Sequence, residues 1–221
     1  MAKIFYESAM IDQRVQKSWP AGKDGTGLWD GVPFWAQCFY SSVTMFMSHL
    51  IKSVDAQTLY NQYFDDIETE VGTPGIGEGI MKSFNLPLVV GGKRVRSGQF
   101  WAVHCAGVNA YFQKYGVQGH AVWADIPWDQ AINLLKTKTP LVMGTRIPPS
   151  DGHIIFIAGF NPDTNCFIVK DPYGNGLQGY PNGASGVDLE YPVGWLQGVA
   201  SWAPGTGMPA TAGNTRVMWL E

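Results

Sequence analysis

Three residues whose types together perform thiol chemistry stand far apart in this sequence: Cys38, His153 and Asp171. Cys38 lies where a loop rich in glycine and proline, residues 17–33 (KSWPAGKDGTGLWDGVP), gives way to an apolar periodic stretch. The free N–H groups and positive dipole end of a helix starting there would face its sulfur, the setting in which a cysteine becomes a nucleophile. His153 follows Ser150-Asp151-Gly152 and opens the apolar run 154–160, which puts a polar ring at the mouth of a strand. Asp171 directly follows the next such run, 166–170, in Asp-Pro-Tyr-Gly-Asn. If the two runs pair as a hairpin, one begins where the other finishes, and imidazole and carboxylate share an end. Each residue alone has a plainer reading: a small buried thiol, a strand-end histidine satisfied by backbone, an Asx-turn aspartate before Pro172. Together they form the nucleophile, base and orienting group that acyl transfer to sulfur requires.

The other reactive side chains do not assemble into a pattern. His104-Cys105 are neighbours whose side chains diverge on a strand or a helix, so they read as structural. His49 falls within a helical stretch and His120 near a loop, and without HxxxH or CxxC spacing no zinc or other metal site is expected. Residues 72–79 (GTPGIGEG) lack the GK[ST] and preceding strand of a phosphate loop and read as a turn. No cofactor is expected. Three cysteines at 38, 105 and 166 are neither a disulfide framework nor a metal signature.

The formal charge of −3 and the absence of any basic run longer than Lys93-Arg94-x-Arg96 argue against nucleic acid or anionic lipid as partner. No stretch approaches the length of a membrane span, and the amino terminus lacks the apolar core of a signal peptide. The expectation is a protein made in the cytoplasm and working as a monomer. The 27 Gly, 14 Pro and 9 Trp point to long loops held by aromatic packing rather than to a helix bundle.

The elements that must position the three residues can be read from periodicity. Val43, Phe46, Met47, Leu50 and Ile51 recur at helical spacing, predicting an amphipathic helix from Cys38 to about Ser53. Asp55 stands as an N-cap before Leu59, Tyr60 and Tyr63, predicting a second helix, and residues 78–84 suit a third. Leu86 to Val90 is a short apolar run closed by Gly91-Gly92, whereas residues 100–115 are ambiguous between strand and helix. Asp125 and Pro127 mark a helix start near Trp128, which runs through Ile132, Leu134 and Leu135 and stops before Pro140. Strands are predicted at 141–146, 153–160 and 166–170, with Asn161-Pro162-Asp163-Thr164-Asn165 as the turn between the last two, and again at 217–220. Residues 173–215 read as irregular. Helices first and an antiparallel sheet second give an α+β plan in a single domain over residues 1–221.

The string Gln37-Cys38-Phe39-Tyr40-Ser41-Ser42-Val43-Thr44-Met45 resembles the C39-like cysteine peptidases, with Ser at +3 and +4 and Met at +7 from the cysteine. The downstream Gly-His and Asp-Pro pairs, at 152–153 and 171–172, follow that family's chain order. The resemblance implies a papain-like fold, N-terminal helices packed on an antiparallel β-sheet, and a peptidase with Cys38, His153 and Asp171 as catalytic residues. It also implies that a glutamine upstream of the cysteine serves the oxyanion hole, a position that Gln13 matches. Gln37 is the rival, although a residue adjacent to the nucleophile cannot easily turn its amide across the cleft. Phe39-Tyr40 depart from the family's usual residues after the cysteine. The motif set with its Gly- and Trp-rich tail resembles small bacteriophage proteins, which implies a lysin-like enzyme acting on peptide or peptidoglycan substrates at the cell wall. A catalytically silent binding or virion protein on the same shell is the alternative, with Trp195, Trp202 and Trp219 as core or as a binding face.

Overall fold

A computed structural model of the protein describes residues 2–16, 37–67, 89–90, 93–94, 100–148, 152–200 and 213–221. The loop 17–33, the turn 72–79, the expected helix 78–84 and Trp202 lie outside the described residues. Helix α1 (Cys38–Leu50) begins at the cysteine as the periodicity implies. Its sequence suggests one apolar face, yet every residue from Phe39 to Ser48 is buried. Helices and sheet surround it, and its polar positions are small hydroxyls whose bonds close inside the protein: Ser48 Oγ donates to the Met45 carbonyl at 2.9 Å. Ser42 Oγ donates to the carbonyl of Ile154, also at 2.9 Å, tying the first turns of α1 to the strand residue after His153.

Helix α2 (Ala56–Ile67) is capped as expected, the Thr58 N–H donating to Asp55 Oδ1 at 2.9 Å. The ambiguous segment is helix α3 (Phe100–Tyr115), with Trp101, Cys105, Val108 and Phe112 buried on one stripe. A two-residue pair, β2 (Val89–Val90) with β3 (Lys93–Arg94), stands apart.

The main sheet contains β1 (Ile4–Phe5), β4 (Ala121–Pro127), β5 (Leu141–Thr145), β6 (His153–Asn161), β7 (Cys166–Lys170), β8 (Leu189–Pro192) and β9 (Asn214–Leu220). Its order is β4-β9-β5-β6-β7-β8, with β1 on β6, and every pairing among the described residues is antiparallel. Helices α4 (Trp128–Thr137) and α5 (Val193–Ala200) are the remaining α-helices among the described residues. Apolar side chains alternate across the sheet, so that Val142, Phe156 and Ala158 pack with α1, α2 and α3. Met143, Ile155 and Ile157 pack with α4 and α5 on the opposite face. The architecture is α+β, but with helices on both faces of the sheet.

Two sequence readings change. Asp125 lies in β4, held by Arg216 of β9 through paired bonds of 2.7 and 2.9 Å, and Pro127 is the N-cap of α4 rather than a residue of its first turn. The segment read as irregular contains β8 and α5, and Trp195 and Trp219 pack into the core on that side.

The amino-terminal segment travels along the sheet toward the carboxyl end of β7. Its backbone passes so close to Gly159 that a Cβ there would sit 2.0 Å from the Ile4 carbonyl oxygen. The Tyr6 N–H donates to the Ala158 carbonyl at 2.7 Å, and the Gln13 N–H to the Pro172 carbonyl at 3.0 Å.

Candidate active site

Strands β6 and β7 pair as the sequence requires, with Asn161 opposite Cys166 and Phe156 opposite Lys170. His153 opens one and Asp171 follows the other, so the two side chains meet: His153 Nε2 lies 2.7 Å from Asp171 Oδ1. Cys38, whose side chain is half-buried at the start of α1, also acts on this ring by hydrogen bond and charge. With Nε2 committed to the carboxylate, Nδ1 is the ring nitrogen left for the sulfur. The structure thus brings together the three residues that the sequence singles out.

Asp171 is fully buried, and four donors converge on it. Oδ1 accepts from His153 and, at 3.0 Å, from the Tyr173 backbone N–H. Oδ2 accepts from the hydroxyls of Tyr191 at 2.9 Å and Tyr180 at 3.1 Å. Its backbone is fixed by Gly186, whose carbonyl accepts the Asp171 N–H at 2.9 Å. A Cβ at Gly186 would lie 1.9 Å from the Asp171 carbonyl oxygen, so only glycine permits this approach. Neither tyrosine is signalled by the sequence.

Burial pulls the His153 imidazole down, but the Asp171 carboxylate, by charge and hydrogen bond, and then the Cys38 sulfur push it up to about 10. The ring therefore carries a proton through the neutral range. Because the folded value lies above the ordinary 6.5, this pairing stabilises the fold fully below about pH 6.5 and ceases to do so as pH rises through about 10. An NMR titration of His153 is expected to show its midpoint near pH 10; a midpoint below 6.5 would mean that burial prevails and that Asp171 does not hold the ring as a cation.

The two glutamines part company. Gln13 is buried in a 3-10 turn (Gln13–Val15), against the Asp171-Pro172 turn through its own N–H. Gln37 is the N-cap of α1 without a side-chain cap bond, and its Oε1 accepts from the Tyr60 hydroxyl of α2. That bond engages the Gln37 amide in helix packing.

Elsewhere, His104 is buried in α3 with Nδ1 2.8 Å from the Tyr63 hydroxyl, and burial pushes it down to about 3, so it stays neutral. Burial pushes the Cys105 thiol up to about 11, and its Sγ lies 3.1 Å from the Ala121 carbonyl. Cys166 is buried with Sγ 3.4 Å from the Thr164 carbonyl. His49 Nδ1 contacts the Glu7 carbonyl at 2.8 Å, and His120 is exposed near Glu221. Among the described residues there is no cluster of metal-ligating side chains, and no helix is long and apolar enough to cross a membrane.

A helix-start cysteine facing an imidazole that a buried sheet carboxylate holds, on an antiparallel sheet with helices against it, is the arrangement of the papain-like cysteine peptidases. Residues 14–191 match the model of the Peptidase C39 like family, and the chain belongs to that family. The match ends on Tyr191, and Gln13 stands one residue before it. No curated protein matches the chain at a significant level.

Proposed function

We propose that the protein is a cysteine peptidase in which Cys38 is the nucleophile, His153 the proton carrier and Asp171 the group that orients the imidazole. The observation that carries this reading is the 2.7 Å bond between His153 and Asp171, on a ring that Cys38 also acts on by hydrogen bond and charge. Cys38 Sγ attacks the amide carbon while its proton resides on His153. As the C–N bond breaks, His153 gives that proton to the leaving amine, and a thioester remains. Water then attacks the thioester, its proton passing to His153, and the sulfur departs from the acid product.

The tetrahedral oxyanion needs donors fixed beforehand. The backbone N–H of Cys38, at the start of α1, is one in this reading, and the Gln13 side chain is the other. What supports Gln13 is its burial and its bond to the turn that carries Asp171, while the Gln37 amide oxygen is engaged by Tyr60. Gln13→Ala is expected to lower kcat by roughly 10²–10³ with a smaller change in KM. If Gln37→Ala shows that signature and Gln13→Ala is near neutral, the assignment reverses.

For the substrate we infer peptide amides, with peptidoglycan stem peptides as the first to test. What supports the cell-wall choice is the resemblance of the motif set to small phage proteins. Purified protein incubated with intact sacculi is expected to expose new amino groups rather than reducing sugars, since a thiol site attacks amides and glycosidic cleavage uses paired carboxylates. If sacculi yield none while an unstructured protein is cut by the wild type and not by Cys38→Ala, the enzyme acts on proteins. If neither is cut and Cys38 is no more reactive toward thiol reagents than Cys105 and Cys166, the chain is a silent shell.

A further inference from the structure

We propose that Tyr180 and Tyr191 are positioning residues for the proton transfer: their hydroxyls share the charge of Asp171, so that His153 holds its proton firmly yet can release it to the leaving amine. This rests on the peptidase reading above and adds two residues to it. A buried carboxylate already bonded by an imidazole and a backbone N–H has its other oxygen to satisfy. Here Tyr191 and Tyr180 both reach Oδ2, at 2.9 and 3.1 Å. The direction of the Tyr191 bond is fixed, because its oxygen accepts the Gly176 N–H at 2.7 Å and its proton is thereby turned to Asp171.

Tyr180 bears the mark of a functional constraint. It is an aromatic residue in the left-handed backbone region, with φ of 59°, a conformation that bulky side chains avoid. Its N–H is held by the Asn175 carbonyl at 2.9 Å, and its ring stands edge-on to His153 at 5.7 Å and to Tyr173 at 5.3 Å. The strained backbone thus places one side chain against both members of the His153–Asp171 pair. Burial, and then the charge of Asp171, push both phenols well above their ordinary range, so they remain donors throughout the working pH. Among the described residues, Arg14, from the turn that carries Gln13 and itself paired with Asp12, interacts with this carboxylate by charge, and Cys38 acts on both the His153 ring and Tyr180.

A carboxylate that loses a hydroxyl donor concentrates its charge on the remaining partner. His153 then binds its proton more tightly and becomes a poorer acid toward the amine. The test is the pH dependence of Cys38 alkylation by iodoacetamide, read on the Cys38 peptide by mass spectrometry, alongside turnover of a peptide substrate. For Tyr180→Phe and Tyr191→Phe the high-pH limb of the alkylation profile is expected to move upward, and kcat to fall by about 10- to 100-fold with KM little changed. Should Tyr191→Phe fail to fold, Tyr180→Phe at its half-buried position carries the test. A purely packing role would lower Tm and leave the limb in place, and that result overturns the proposal while the peptidase reading stands. Wild-type Cys38 that is unreactive at every pH overturns both.

Discussion

Cys38→Ala is expected to abolish amide hydrolysis, with a fall in kcat on the order of 10⁶-fold and a Tm close to that of the wild type. The loss is that large because no other group takes over a nucleophile's covalent step. The fold should tolerate the change, since the sulfur is half-buried at the edge of the apolar core rather than within it. Iodoacetamide at neutral pH should modify Cys38 well before Cys105 or Cys166, whose sulfurs are buried against backbone carbonyls. Cys105→Ser and Cys166→Ser should keep their turnover. Full activity in Cys38→Ala would remove the nucleophile from the scheme, and mass spectrometry of a trapped thioester in the wild type would establish it independently.

Asp171→Asn is expected to cost about 10⁴-fold in kcat, the scale on which a misdirected imidazole tautomer slows hydrolysis. In the proposed scheme Nε2–H points at Asp171 and Nδ1 is the atom that exchanges the proton with sulfur. An asparagine offers only one oxygen, whereas His153 and the Tyr173 N–H approach one side of the group and two tyrosine hydroxyls the other. Whichever way the amide turns, its NH2 meets donors. Tyr191 cannot relieve the conflict by reversing its hydroxyl without disturbing the bond from Gly176. The variant should therefore lose stability as well as rate, by about 1–3 kcal/mol for each donor left unmet. Chemical denaturation measures the first and steady-state kinetics the second; an Asn variant with wild-type kcat would show that the carboxylate is dispensable.

The parts of this site that rest on regular periodicity are legible in the sequence. The apolar spacing after Cys38 gives α1, Asp55 marks the cap of α2, and the paired runs on either side of Asn161–Asn165 give the hairpin that joins His153 to Asp171. Helix α3 is harder because Ala102, Ala106 and Gly107 between its buried stripe are themselves apolar and blur the period. Strand β8 presents only Leu189 and Tyr191 before Pro192, too short a pattern to stand out in a glycine-rich stretch. The tyrosines on Asp171 are invisible for a different reason: a phenol that closes a hydrogen bond from a distant segment leaves no local period. Gln13 could be proposed only from the resemblance, because the loop between it and Cys38 carries no spacing rule.

The path of the amino-terminal segment sets an order of events in the making of the protein. Residues 4–6 pair with 158–160, and Gln13 bonds to Pro172, so the first described strand finds its partner only once β6 has been made. Such pairing between remote parts of a chain closes large loops and makes folding slow compared with that of a locally connected bundle. Synthesis runs from the amino end, so Cys38 is made long before β6 delivers His153 or β7 delivers Asp171, and α1, buried all round, gains its packing only with the sheet. The nascent chain therefore holds a cysteine without its imidazole. Hydrolytic competence should arrive abruptly, with the last strands of the sheet, rather than growing as the polypeptide emerges.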